Sequence, residues 1–201
     1  MNSTGYKKLP IEGVDIFYIE AGDATKPCIL LLHGFPSSSF MFQSLIDHLQ
    51  DRYYLVAPTY PGFGLSGMPS VKDFDYSFDH LAIVMEKFVD ALGIKKASFL
   101  MHDYGGPVGF RIMSRRPGLL DAMMVMNANA YQEGLTASSQ PLFDYWKNPT
   151  EQNEAALGQL LTRAGTEFQY YDGVSDRTVI NPAAIYTDQF FWSGKAIKKS
   201  N

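Results

Sequence analysis

The feature that most constrains the fold of this chain is a regular alternation of apolar, strand-like segments with helix-like segments. The strand patterns lie at residues 14–20, 27–34, 53–62, 95–103 and 119–129, and the helix patterns at residues 41–49, 77–93 and 106–116. In the clearest helix, Ser77 is placed to cap the first turn and Gly93 to end the last one. Strands that alternate with helices predict an α/β fold with a mostly parallel sheet flanked by helices.

The character of the sequence changes in its last third. This part is rich in aromatic side chains, shows a helical pattern at residues 150–163 and lacks a continuous apolar strand. We therefore expect residues 1–129 to form the N-terminal part of the α/β core and residues 130–201 to form a partial helical lid and tail. The basic end of the chain, residues 194–201, is interpreted as a solvated tail.

Composition argues against several functional classes. A net charge of −4 and a pI of about 5.5 argue against nucleic acid or an anionic membrane as a partner. Because Cys28 is the single cysteine, no intramolecular disulfide can form. The sequence shows neither a signal-like leader nor an apolar run of about 18 residues. We therefore expect a cytoplasmic protein. Because no phosphate loop, dinucleotide fingerprint or metal-ligand cluster is present, we expect no cofactor and no metal.

Three turns at the ends of predicted strands carry the functional signal. The first is HGFP at residues 33–36, and the second is PGFGLSGMP at residues 61–69. In the third, HDYGGPVG at residues 102–109, Asp103 lies between a buried strand and a helix. In an arbitrary protein an aspartate at this position would be a helix N-cap.

The three turns, in this order and spacing, resemble those of the α/β-hydrolase fold, and within it the epoxide hydrolase and haloalkane dehalogenase branch. The resemblance implies that Asp103 is the nucleophile of a strand-turn-helix elbow and that the backbone amides of Phe35 and Tyr104 form an oxyanion hole. One departure is Met101, because the family usually has a small residue two positions before its nucleophile. Met101 therefore raises the question of whether the elbow can close tightly.

An aspartate at the elbow narrows the reaction class. A carboxylate needs no general base to attack, and it can displace a leaving group from a saturated carbon to give an alkyl ester. The implied substrate is a small hydrophobic organic molecule: a neutral epoxide or, alternatively, a carbon that carries a halide. We favour the epoxide, because Phe35 and Tyr104 do not match the halide-donating side chains expected by resemblance to dehalogenases.

Epoxide hydrolases use lid tyrosines to protonate the opening oxygen, and a phenol suits this task because it stays protonated at neutral pH. The last third of the chain offers five candidates: Tyr131, Tyr145, Tyr170, Tyr171 and Tyr186. We name Tyr145 and Tyr170 as the donors, with packing in the lid core as the alternative. Candidate substrate-binding residues are Trp146, Trp192, His33 and His102, and the alternative for both histidines is a structural role in loop packing.

The family's order of catalytic residues is nucleophile, acid and then histidine. All four histidines of this chain precede Asp103: His33, His48, His80 and His102. We therefore expect a chain that lacks the family's last strands, its acid and its base, with an unpaired apolar sheet edge and at most a single turnover. Three hypotheses remain: an epoxide-hydrolase-like fragment, a haloalkane dehalogenase fragment, and a non-catalytic chain that binds a ligand or partner. The oligomeric state stays open.

Overall fold

The computed structural model describes residues 4–136 and 139–192. The chain divides into two compact units, Met1–Ala130 and Tyr131–Asn201, and each is described by itself. The strands of the first unit are β1 (Gly5–Ile11), β2 (Val14–Ala21), β3 (Cys28–Leu32), β4 (Tyr54–Pro58), β5 (Ala97–His102) and β6 (Leu120–Met126). Its helices are α1 (Gln43–Leu49), α2 (Phe78–Ala91) and α3 (Gly105–Arg115).

The six strands form a sheet in the order β1-β2-β4-β3-β5-β6. Strand β3 pairs in parallel with both β4 and β5, and β5 pairs in parallel with β6. Strands β1 and β2 add an antiparallel ribbon beside β4. The predicted α/β fold with a mostly parallel sheet is confirmed.

Two strands differ from the sequence-based expectation. Strand β1 was not predicted, because its segment GYKKLPI mixes lysines with apolar residues; its charges and Pro10 suit an edge strand. The period-2 pattern of β2 predicted a half-buried strand, yet Ile16 and Ile19 are both fully buried. The difference arises because β2 lies inside the sheet: Phe17 and Ile19 join the core beside α1, while the ring of Tyr18 packs edge-on against Phe88 of α2 at 5.1 Å.

Helix α2 begins and ends as predicted. The Ser77 hydroxyl accepts a hydrogen bond from the His80 amide at 3.2 Å, and Gly93 takes a φ of +71° just after the helix. Leu81, Val84, Met85 and Phe88 form the buried apolar face of the helix. Exposed ion pairs join α3 to α2: Arg111 with Asp79, Arg115 with Glu86, and Arg116 with Asp90.

Strand β6 forms the edge of the sheet in the described part of the chain. It pairs with β5, and it has no neighbour on its other side among the described residues. Met123, Met124, Val125 and Met126 are between 39% and 56% exposed. The apolar edge that the sequence predicts is therefore present at β6.

The second unit is helical over its described residues. Its helices are α4 (Gln140–Lys147), α5 (Glu151–Gly158), α6 (Arg163–Tyr171) and α7 (Pro182–Trp192). The helical pattern predicted at residues 150–163 is present: Thr150 caps α5, and a 3-10 turn at Gln159–Leu161 continues it. The pattern ends two residues early, because Thr162 has extended backbone angles and caps the next helix by accepting from the Gly165 amide. The role of this unit as a lid stays a prediction, and the basic segment 194–201 lies outside the described residues.

Candidate active site

Asp103 occupies a tight turn between β5 and α3. Its backbone lies in the left-handed region at φ +47°, which is uncommon for a residue other than glycine. The Asp103 amide donates to the Met126 carbonyl at 3.4 Å, and the Gly106 amide donates to the Asp103 carbonyl at 2.9 Å. A conformation that costs of order 1 kcal/mol or more is thus held by bonds on both sides, as is often seen at functional sites.

The turn after β3 supplies a hydrogen-bond donor to the Asp103 carboxylate. The Phe35 amide donates to Asp103 Oδ2 at 2.8 Å. A Cβ atom at Gly34 would lie 2.5 Å from Asp103 Cβ and 2.7 Å from His102 Nδ1, so glycine is required for the two turns to approach this closely. The amide of Tyr104 follows directly at the N-cap of α3, where backbone amides have no partner within the helix.

The structure answers the question raised by Met101. This side chain is fully buried, and a Cβ atom at Gly109 would overlap Met101 Sδ and lie 2.9 Å from Met101 Cγ. The long thioether therefore occupies the space that Gly109 of α3 leaves free. The elbow closes around a bulky residue because the facing helix position is a glycine.

Aromatic rings surround Tyr104, the residue after Asp103. The ring of Tyr104 lies 5.8 Å from that of Phe35, 6.1 Å from that of Phe63 and 4.8 Å from that of Phe78. Burial and, to a smaller degree, the nearby Asp103 charge raise the pKa of the Tyr104 phenol to about 12. Tyr104 therefore lies in a packed aromatic cluster next to Asp103.

Tyr60 is a residue of this site that the sequence reasoning missed. Its side chain is fully buried, and its hydroxyl has no hydrogen-bond partner among the described residues. Burial first, and then the Asp103 charge, raise the pKa of the Tyr60 phenol well above its ordinary value. Its position just before the PGFG motif, at residues 61–64, was the signal that could have found it.

The two histidines beside the turns differ in their surroundings. His33 is fully buried and both ring nitrogens bond to the backbone, one to Gly34 and one to Tyr60, which fits a structural role. His102 is partly buried, and its Nδ1 has no partner among the described residues. Burial lowers the pKa of the His102 imidazole, and the Asp103 charge partly opposes that effect. Contact of either ring with a substrate stays a prediction.

The remaining predicted site residues belong to the second unit. Tyr145 is partly buried on α4, and Trp146 is 53% exposed and packs edge-on against Phe143 at 5.7 Å. The Tyr170 hydroxyl donates to Asp188 Oδ2 at 2.6 Å, within the unit, and Trp192 is the partly buried last residue of α7. The structure thus brings Asp103, Phe35, Tyr104, His33 and His102 together, while the roles of Tyr145, Tyr170, Trp146 and Trp192 stay predictions.

Within residues 4–136 and 139–192, no group of three or more histidine, cysteine, aspartate or glutamate side chains is arranged to hold a metal ion. None of the helices in that part of the chain is long and apolar enough to cross a membrane.

Sequence comparison assigns the chain to a family. The profile of the α/β hydrolase fold matches residues 27–193, so the chain belongs to the α/β-hydrolase family. An uncharacterized hydrolase from Saccharomyces cerevisiae is 39% identical over 181 residues, which are 88% of this chain and 62% of that protein. Haloalkane dehalogenase 2 from Mycobacterium tuberculosis H37Rv is 39% identical over 112 residues, which are 56% of this chain and 38% of that protein.

The chain is also similar to an epoxide hydrolase in sequence and to a solved structure in fold. Epoxide hydrolase 3 from Xenopus tropicalis is 29% identical over 142 residues, covering 69% of this chain and 38% of the relative. Cfl2 from Burkholderia cenocepacia has the same fold, with a TM-score of 0.80 and 18% identity over 97% of this chain and 68% of Cfl2. The chain therefore spans between about 38% and 62% of the length of these three curated relatives.

Proposed function

We propose that this chain carries the nucleophilic half of an epoxide-hydrolase-like active site, in which Asp103 forms an ester with a neutral, hydrophobic epoxide. The observation that carries the proposal is the Asp103 carboxylate at the elbow, held at Oδ2 by the Phe35 amide at 2.8 Å. Because this bond occupies one oxygen, the other is the one we assign to the attack. The aromatic rings beside Tyr104 support a hydrophobic substrate.

The proposed step balances without a cofactor. One Asp103 oxygen forms a bond to a ring carbon of the epoxide, and the ring carbon–oxygen bond breaks with its electron pair passing to the oxygen. That oxygen then takes a proton, for which Tyr145 and Tyr170 remain our candidate donors. The product is an alkyl ester of Asp103 that carries a neighbouring hydroxyl group.

Completion of the reaction requires water to attack the ester carbonyl, with the Phe35 and Tyr104 amides as proposed donors to the oxyanion. This step also needs a base. His33 is fully buried and bonded to the backbone, His48 is exposed on α1, and His80 is bonded to Asp75 and Glu12. His102 directly precedes Asp103, with its Nδ1 packed against Gly34, and does not lie after the nucleophile, where the resemblance places the base. We expect ester formation to be the end of the reaction in this chain.

A specific observation favours a second candidate, a haloalkane dehalogenase. The haloalkane dehalogenase reported above is 39% identical, against 29% for the epoxide hydrolase, although it matches a shorter part of this chain. In this reaction the same Asp103 oxygen would displace a halide, and the alkyl ester would be the intermediate. The proposals therefore share their nucleophile and differ in the leaving group.

Intact-mass analysis tests both proposals. The folded chain is incubated with styrene oxide or with 1-bromohexane, and peptide mapping locates any added mass. We expect a stable adduct on Asp103 that forms faster with the epoxide and is absent in Asp103→Asn. A faster reaction with the bromide would favour the dehalogenase, and a well-folded protein that reacts with neither reagent would favour a non-catalytic binding chain.

A further inference from the structure

His33 is the best-defined polar side chain near the nucleophile that the proposed chemistry does not use. The Tyr60 amide can only donate, so the His33 Nε2 atom, 3.1 Å away, must accept. In a neutral imidazole the other nitrogen then carries the hydrogen, and His33 Nδ1 donates to the Gly34 carbonyl at 3.0 Å. These two bonds fix the tautomer and the plane of the ring.

The Gly34 carbonyl and the Phe35 amide belong to one peptide group. Since a peptide group is planar and its carbonyl and amide point in opposite directions, an orientation imposed on one end is imposed on the other. His33 Nδ1 bonds to the carbonyl end, and the amide end donates to Asp103 Oδ2 at 2.8 Å. The Ser37 amide also donates to the Gly34 carbonyl at 3.1 Å, so the peptide is held from two sides.

Packing prevents the ring from adopting another orientation. His33 is fully buried, its ring lies 4.3 Å from that of Tyr60, and the ring of Phe63 meets it edge-on at 5.2 Å. The backbone amide of Tyr60 belongs to the turn after β4, whereas Gly34 belongs to the turn after β3. A single side chain therefore ties together the two turns that approach the elbow.

We infer that His33 is a positioning residue, which orients the Gly34–Phe35 peptide group so that its amide holds Asp103 Oδ2 and leaves the other oxygen directed at the substrate. The inference rests on the proposed function of Asp103 as nucleophile. It assigns His33 no contact with substrate. Its effect should be on the rate of ester formation and not on the binding of the epoxide.

Two substitutions separate the two hydrogen bonds. In His33→Asn the side-chain amide can replace Nδ1 and still donate to the Gly34 carbonyl. In His33→Gln the side-chain carbonyl can replace Nε2 and accept from the Tyr60 amide, while the bond to Gly34 is lost. If orientation of the peptide group is what matters, His33→Gln should be the slower variant.

The experiment measures adduct formation on Asp103 with styrene oxide over a range of concentrations, giving the maximal rate and the half-saturating concentration. Misplacement of a reacting group by about 1 Å costs up to about 100-fold in rate. We therefore expect His33→Gln to lower the maximal rate about tenfold or more, with His33→Asn within about threefold of wild type and the half-saturating concentration unchanged in both. The final adduct amplitude reports the folded fraction separately.

Val84→Ala is the matched control, because Val84 is fully buried in α2 and belongs to neither turn. It should reduce the folded fraction and leave the maximal rate per folded molecule unchanged. Wild-type rates in both His33 variants would refute the positioning role and leave the proposed function intact. Absence of any Asp103 adduct in the wild type would instead refute the proposed function.

Discussion

The buried His33 should make this protein sensitive to mild acid. Burial lowers the pKa of the His33 imidazole from 6.5 to about 4, with a smaller contribution from His102, while the bond to the Gly34 carbonyl partly opposes the decrease. The folded-state pKa is therefore below that of the unfolded chain. Between pH 6.5 and pH 4 the unfolded state binds a proton that the folded state does not, so stability falls as the pH falls through this range.

The magnitude follows from the two pKa values. They differ by about 2.5 pH units, and each unit corresponds to about 1.4 kcal/mol, so His33 alone should remove about 3 kcal/mol of unfolding free energy between pH 7 and pH 4. About 2 kcal/mol of that loss should be present by pH 5. A loss of this size is a large part of the unfolding free energy of an ordinary domain, which is about 5–15 kcal/mol.

Urea unfolding followed by far-UV circular dichroism at pH 7, 6, 5 and 4 would measure this loss. His33→Gln lacks the titrating group, so its unfolding free energy should fall less steeply over this range than that of the wild type. His102, whose pKa is also lowered, and the carboxylates are present in both proteins, so the difference reports His33 together with its small electrostatic coupling to His102. His48→Gln, which removes an exposed histidine, should follow the wild type. Parallel curves for wild type and His33→Gln from pH 6.5 to pH 4.5 would refute the reasoning.

Three further substitutions test the packing around the elbow and the helix that flanks it. Gly109→Ala should lower the unfolding free energy in urea by about 1–3 kcal/mol, because its Cβ would overlap Met101 Sδ. The double variant with Met101→Ala should recover part of this loss. Additive losses in the two variants would contradict this account. Ser77→Ala should lower the unfolding free energy by about 1 kcal/mol because the His80 amide loses its acceptor, whereas Ser77→Asp should retain most of it. Tyr60→Phe should leave the unfolding free energy unchanged or raise it by about 1 kcal/mol, because it removes a buried hydroxyl that has no partner among the described residues. A clear drop in melting temperature would show that this hydroxyl makes a stabilising hydrogen bond.

Local features of this protein could be read from the sequence because they depend on near neighbours in the chain. The cap at Ser77, the end of α2 at Gly93 and the apolar face between them are set by spacings of three or four residues. The buried strand β3 and the elbow at Asp103 were predicted from short motifs in the same way. The family assignment followed from the order of these motifs and is confirmed by the match over residues 27–193.

Segments with mixed signals were missed, as in β1, or predicted with an inexact end, as in α5. Strand β1 forms because β2 offers it a complete antiparallel partner, from Gly5 opposite Glu20 to Ile11 opposite Val14. The break between α5 and α6 depends on Thr162, whose capping role competes with a continuous helical pattern. In both cases a neighbouring contact outweighs the local propensity.

The sequence by itself determined that this chain belongs to the α/β-hydrolase family and has a carboxylate in the turn after β5, because short motifs are enough to indicate both properties. Only the tertiary structure decided how the carboxylate is held. The bond from Phe35 to Asp103 joins residues 68 positions apart, and that from Tyr60 to His33 joins residues 27 apart. Such contacts exist because the carboxyl ends of parallel strands meet at one edge of the sheet, and no local spacing rule could have shown that Gly34 and Gly109 leave the room they need.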